Sequence, residues 1–317
     1  MSANTNIEWC DHTFNPWTGC TKVSPGCDHC YAEGWAKRSG QVQWGPHAAR
    51  RRTSPANWSL PRRWNAQAEA FAAQHGRRQR VFCASLADVF DNAVPIAWFA
   101  EFLDLCRLTP NLDKLLLTKR IGNVERRLAE ASEYAAEVMR NPLLANWIVT
   151  WLDGDAPPDI WLGTTIVNQP EADRDIMKLL AVPASVRFLS MEPLLGPVIV
   201  KGLFALDWVI VGGESGPGAR PMHIDWARGL RDQCEAARVP FLFKQWGEWG
   251  MAVPQPSGTK GRYLLMADHG SVMGSVNVPL DAYPRQFTAF GSTVMERVGK
   301  KAAGRLLDGR EWNGVPA

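Results

Sequence analysis

Residues 81–85, Val-Phe-Cys-Ala-Ser, 114–118, Lys-Leu-Leu-Leu-Thr, and 160–164, Ile-Trp-Leu-Gly-Thr, decide the fold. Each is a short, nearly continuous apolar run. Between them lie longer stretches, Pro95 to Cys106 and Asn123 to Met139, whose apolar residues recur at helical spacing. The alternation continues outward through a helix from Pro170 to Leu180, strands at Val186 to Ser190, Trp208 to Val211 and Phe241 to Phe243, and a helix from Trp226 to Arg238. Strands without polar alternation are buried on both faces, which belongs to a parallel sheet covered by helices. The expected class is therefore α/β. Six or so strand–helix units in roughly 240 residues suit a partial or complete (β/α) barrel, with a doubly wound open sheet as the competitor.

The strand ends are unusually polar: Ser85 and Asp88, Thr118-Lys119-Arg120, Thr164 to Gln169, Ser190-Met191-Glu192, Gly213-Glu214-Ser215 and Lys244-Gln245-Trp246. In parallel α/β folds the C-terminal strand ends carry the active site. Asn168, Glu192, Glu214 and Lys244 are accordingly expected at one mouth, with Gly213 at a tight turn or beside a cofactor. The chain has 317 residues, 46% of them hydrophobic and 21% charged, enough for a large core and incompatible with a disordered protein. No apolar run approaches the length of about 18 residues needed to span a bilayer, and Met1 to Trp9 lacks the features of a signal peptide. A cytoplasmic protein without a membrane partner is expected. Residues 1–249 are read as the barrel and 250–317 as a C-terminal extension, with one helix-like segment at Thr293 to Leu307.

Seven cysteines, an odd number, make a poor disulfide framework, and three of them fall within eleven residues: Cys20, Cys27 and Cys30, with Pro25-Gly26 supplying a turn. Such clustering implies a metal. Zinc would take a fourth ligand from Cys10, His12, His29 or His47, whereas a four-iron cluster held by three cysteines leaves one iron open. Spacing alone does not separate them. Cys83, Cys106 and Cys234 read as small core residues. Net charge is only +3, yet residues 37–80 hold ten basic residues against one acid, Glu69, with Trp44, Trp58 and Trp64 interleaved. Arg50, Arg51, Arg52, Arg62, Arg63 and Trp58 are the candidates for a nucleic-acid surface, with a solvated loop whose tryptophans pack on the body as the plainer reading.

The motif Asn15-Pro-Trp-Thr-Gly-Cys20, leading to Cys27-x-x-Cys30-Tyr31-Ala32-Glu33, resembles the radical S-adenosylmethionine superfamily, in particular members related to spore photoproduct lyase. Together with Ile7-Glu-Trp9, Ser24-Pro-Gly-Cys27, Ser190-Met-Glu-Pro193 and Gly212-Gly-Glu-Ser-Gly216, it is similar to an uncharacterised phage and prophage family assigned to that superfamily. The first cysteine gap holds six residues where three are usual, and His29 stands where an aromatic is common.

The resemblance implies a barrel with its cluster loop at the mouth. Cys20, Cys27 and Cys30 would ligate a 4Fe–4S cluster, and S-adenosylmethionine would chelate the fourth iron. An external low-potential electron donor would drive cleavage to methionine and a 5′-deoxyadenosyl radical that abstracts hydrogen from substrate. Ser85 and Asp88 would sit near the methionine amino end, and Asn168, Glu192, Gly213 and Lys244 beside cofactor or substrate, with Glu214 as a catalytic candidate. The expected function is a radical enzyme acting on a nucleic-acid base or nucleotide. The alternative, from another class, is a non-catalytic zinc-stabilised nucleic-acid-binding protein.

Overall fold

The computed structural model describes residues 5, 7–251, 263–267, 272–276 and 292–316. Its main sheet takes seven strands: β1 (His12–Phe14), β2 (Gln79–Cys83), β3 (Leu112–Thr118), β4 (Ile160–Thr165), β5 (Val186–Met191), β6 (Trp208–Gly212) and β7 (Phe241–Gln245), hydrogen-bonded in that order. The strands are parallel. A doubly wound sheet reverses its order at a switch point, and this one does not. Sequential order with β1 and β7 as its outer strands is compatible with a partial barrel. The chain groups into two compact units: Met1–Thr165 with Met177–Phe188, and Ile166–Ile176 with Leu189–Ala317.

In the first unit, β3 buries Leu112, Leu115 and Leu116 completely, as its unbroken apolar run requires. The helix Ile96–Arg107 covers the sheet with Phe99, Phe102, Leu103 and Cys106. The helix Val124–Glu137 buries Val124, Leu128, Ala131 and Ala135, one stripe at helical spacing. The sequence expectation missed the helix Pro142–Leu152, whose start is marked by an Asn141 cap accepting from the Leu144 amide and by proline at the first position. It also missed β1, which is three residues long and pairs in register with Val81 to Cys83 of β2.

His12 on β1 lies stacked on Trp64, with ring centroids 4.2 Å apart and planes 4° from parallel. Its Nε2 hydrogen-bonds the Gln79 Oε1 at 2.7 Å, while Gln79 Nε2 donates to the Trp64 carbonyl. Nδ1 is buried without a partner among the described residues, so protonation would create an unmatched N–H. Burial depresses the His12 pKa below the usual imidazole value, opposed by the Gln79 bond and the Asp11 charge. The unfolded chain therefore takes up this proton first. The His12 contribution to stability is present above the unfolded pKa of about 6.5 and is lost as pH falls through the folded value. Urea unfolding at about pH 7.5 and about pH 5 should show this loss in the native chain and a smaller one in His12→Phe, which keeps the stacked ring. An equal loss in both proteins would assign the pH dependence elsewhere.

In the second unit, β6 buries Trp208, Val209, Ile210 and Val211 completely, and the helix Ile224–Ala237 begins at His223, whose ring nitrogen accepts from the Asp225 amide. The stretch read as a helix from Thr293 is instead a strand followed by one short helical turn, Lys300–Ala303. A second, antiparallel sheet consists of β8 (Trp249–Met251), β9 (Tyr263–Met266), β10 (Val272–Val276) and β11 (Thr293–Arg297), in the order β8-β11-β9-β10. The last residues return to the main sheet. The Phe243 amide donates to the Trp312 carbonyl at 3.0 Å and the Gly314 amide to the Phe241 carbonyl at 2.9 Å. This pairing covers part of the exposed edge of β7, the kind of edge that otherwise templates aggregation. The C-terminal segment is thus built into this unit. Among the described residues, no helix is long and apolar enough to cross a membrane.

Candidate functional site

The cysteine loop leaves the sheet directly after β1 and is tied to the C-terminal ends of β2 and β3. Asn15, the first residue past β1, donates from Nδ2 to the Ser85 Oγ at 2.9 Å and accepts the Leu86 amide at 2.6 Å. Tyr31, next to Cys30, donates its hydroxyl to the Ser85 carbonyl. Arg120, just past β3, donates from Nη2 to the Thr21 carbonyl at 2.8 Å and from Nη1 to the Cys20 Sγ at 3.4 Å. The same guanidinium pairs with Asp88 at 3.1 Å. Burial, reinforced by the Asp88 charge and opposed by Arg120, pushes the Cys20 thiol up to about 11. It is therefore protonated at neutral pH, and metal binding there would release a proton.

The donor set of the loop, three thiols, suits a soft metal or an iron–sulfur cluster. Cys20 and Cys30 are partly exposed, and Cys27 ends a turn capped by Ser24, whose hydroxyl accepts the Gly26 amide at 3.0 Å. Among the described residues no three His, Cys, Asp or Glu side chains already form one ligand group.

Asp88 is engaged by its own chain. Its carboxylate accepts from the Thr118 hydroxyl at 2.7 Å and the amides of Lys119 and Phe90 at 2.9 and 3.0 Å, besides the Arg120 pair. Those four donors occupy it. It fixes the end of β3 and positions Arg120. Lys119 is different: its ammonium reaches the Thr165 hydroxyl at 3.3 Å and has no carboxylate partner among the described residues. It is half-buried at the strand-end face where an anionic ligand would be met.

The second unit also shifts roles. Glu214 is buried and held by Arg220 through Nε at 2.8 Å, Nη2 at 2.6 Å and the backbone amide at 2.8 Å. A carboxylate clamped in this bidentate way is held in one orientation. Gly213 is required by packing: a Cβ there would lie 1.9 Å from the Trp246 carbonyl oxygen, so the glycine permits a close backbone approach. Asn168 caps the helix Gln169–Ala181, its side chain accepting the Glu171 amide at 3.1 Å. Glu192 and Lys244 form an ion pair, 2.7 Å at its shorter contact, with side chains 20% and 16% exposed.

The basic segment is corrected most. Arg50 is buried, bonded to Asp91 at 2.7 Å, to the Ala48 carbonyl at 2.7 Å and to Thr21 at 2.9 Å, so it faces the protein and not a phosphate backbone. Arg52 pairs with Glu101 and lies 4.3 Å over the Trp58 ring. Trp58 donates its indole N–H to the Pro16 carbonyl at 3.1 Å and packs edge-on against Phe14, and Trp64 is buried. These rings pack on the body, as the plainer reading had it. Arg77 and Arg78 meet Asp11 and Asp113, acids from outside the segment. Arg51, Arg62 and Arg63 stay exposed, Arg51 beside Gln41 and Arg63 donating to Ser59.

Asn15, Asp91 and Arg120 carry more of this site than the sequence reading assigned them. Asn15 and Arg120 stood within quoted motifs; Asp91 carried no signal until its partner, forty-one residues away, was known. Comparisons with curated proteins and with solved structures found no match. A family of proteins of unknown function, DUF5131, matches residues 4–316, and the chain belongs to that family.

Proposed function

We propose that the chain is a radical S-adenosylmethionine enzyme that modifies a nucleic-acid base or nucleotide. One observation carries the reading: a three-cysteine loop leaves directly after the first strand of a sequentially ordered parallel sheet and is tied by Asn15, Tyr31 and Arg120 to the C-terminal ends of the next two. That is where such a sheet presents its chemistry. Cys20, Cys27 and Cys30 would hold the irons of a 4Fe–4S cluster. With S-adenosylmethionine bound, a reduced cluster of this kind supplies hydrogen abstraction from unactivated carbon. Lys119, free of a carboxylate partner among the described residues, would neutralise a carboxylate or phosphate of a bound ligand. Asp88 and Arg120 are positioning residues: they set the Cys20 thiol and the loop backbone beside it. An external low-potential electron donor completes the system.

The direct test is release of 5′-deoxyadenosine from S-adenosylmethionine by the reconstituted, dithionite-reduced chain. No release above that of a Cys30→Ala control rejects the reading.

The nucleic-acid part now rests on fewer residues. If the exposed arginines touch phosphates, binding to single-stranded DNA should weaken with salt at a log–log slope of about −0.7 per contact. Arg62→Ala with Arg63→Ala should reduce that slope by one to two contacts' worth while leaving thermal stability within about 0.5 kcal/mol. A wild-type chain with no salt-dependent binding would point to a free nucleotide as the substrate.

A further inference from the structure

At the ends of β5, β6 and β7 a polar cluster has hydrogen-bonding capacity that the described residues do not use. Glu192, one residue past β5, reaches across β6 to β7. Gly212 allows this, since a Cβ there would come within 3.3 Å of the Glu192 carboxyl carbon. On β7, Lys244 donates to both carboxylate oxygens at 2.7 and 3.0 Å, and Gln245 Nε2 donates to Oε1 at 2.8 Å. The same Nε2 reaches the Ser215 Oγ at 3.1 Å.

With both amide protons assigned, the orientation of Gln245 is settled by its network. Its Oε1 is left as an acceptor with no partner among the described residues, although the residue is only 6% exposed. A buried acceptor without a partner is destabilising, and native structures keep few of them. Two donor protons of the same cluster have no acceptor among the described residues: the Ser215 hydroxyl proton and the third proton of Lys244. The charges of Glu192 and Lys244 cancel, so the cluster suits a neutral group, and the capacity left among the described residues is one acceptor and two donor protons.

We propose that Glu192, Lys244, Gln245 and Ser215 form a binding site for a neutral ligand edge that places a hydrogen-bond donor beside an acceptor, the edge of a nucleobase. This rests on the reading that the substrate is a base or nucleotide, and it names the residues that recognise it. It requires no cluster and no electron transfer.

Titration of the full chain with thymidine, deoxycytidine, deoxyadenosine and deoxyguanosine, followed by saturation-transfer NMR, should show one of them binding in preference to the others. Gln245→Met and Ser215→Ala, each shown folded by circular dichroism, should weaken that binding tenfold or more. The proposal is overturned if no nucleoside binds, if inorganic phosphate competes for the site, or if both folded variants bind as the wild type does. Nucleoside binding without 5′-deoxyadenosine formation would leave this site standing and remove the radical reading; 5′-deoxyadenosine formation without nucleoside binding would do the reverse.

Discussion

Anaerobic reconstitution of the full chain with iron and sulfide should yield about four irons per chain and broad visible absorption, and replacing any one of Cys20, Cys27 or Cys30 by Ala should abolish both. The loop offers three thiols and no spare. A cluster held by three protein ligands loses its footing when one is removed, so the effect is all or none. Cys83→Ala is the internal control: Cys83 is fully buried at the end of β2, and burial holds its thiol well above the usual range. That variant should load iron like the wild type. Because burial holds the Cys20 thiol up at about 11, loading there must displace a proton and should fall off as pH is lowered. Stoichiometric zinc without iron under the same conditions would leave a stapled binding protein and no radical enzyme.

The sheet was legible because its central strands are buried on both faces and therefore carry unbroken apolar runs. Lys114 to Thr118, Ile160 to Thr164 and Trp208 to Val211 all fall inside observed strands. What escaped was set by long-range pairing. His12-Thr-Phe14 is too short to show a period, and its strand conformation comes from its ladder with β2. Thr293 to Arg297 could be drawn on a helix, yet it pairs antiparallel with both Trp249–Met251 and Tyr263–Met266. The same limit applies to charge. Residues 37–80 read as basic because sequence shows the arginines together, whereas Asp11, Asp91, Glu101 and Asp113, which pair with four of them, come from other elements. Asp88 and Glu214 were rightly seen as acids at strand ends. Their occupation by Arg120 and Arg220 depends on side-chain paths that no motif encodes.

Removing the Asp91 charge should be among the most destabilising single changes in the chain. The Arg50 and Asp91 side chains are 1% and 5% exposed and meet at 2.7 Å. Asp91 also accepts the Ala93 amide at 3.1 Å, while the Arg50 guanidinium is held by the Ala48 and Gly45 carbonyls and by Thr21. In Asp91→Asn the shape persists but a buried guanidinium loses its counter-charge, which costs about 3–5 kcal/mol in comparable sites. The neighbouring Arg120, whose Nε lies 4.0 Å from Asp91, raises that cost because it is a second cation in the same pocket. Arg50→Met leaves the carboxylate unpaired instead and should also destabilise. The double variant Arg50→Met with Asp91→Asn should be less destabilised than the sum of the singles, because no isolated charge remains. Urea unfolding of the four proteins measures this coupling. Since Arg50 grips Thr21, the residue after Cys20, either single variant should also load less iron. If Asp91→Asn unfolds at the wild-type urea midpoint and loads a full cluster, the pair is no clamp on the cysteine loop.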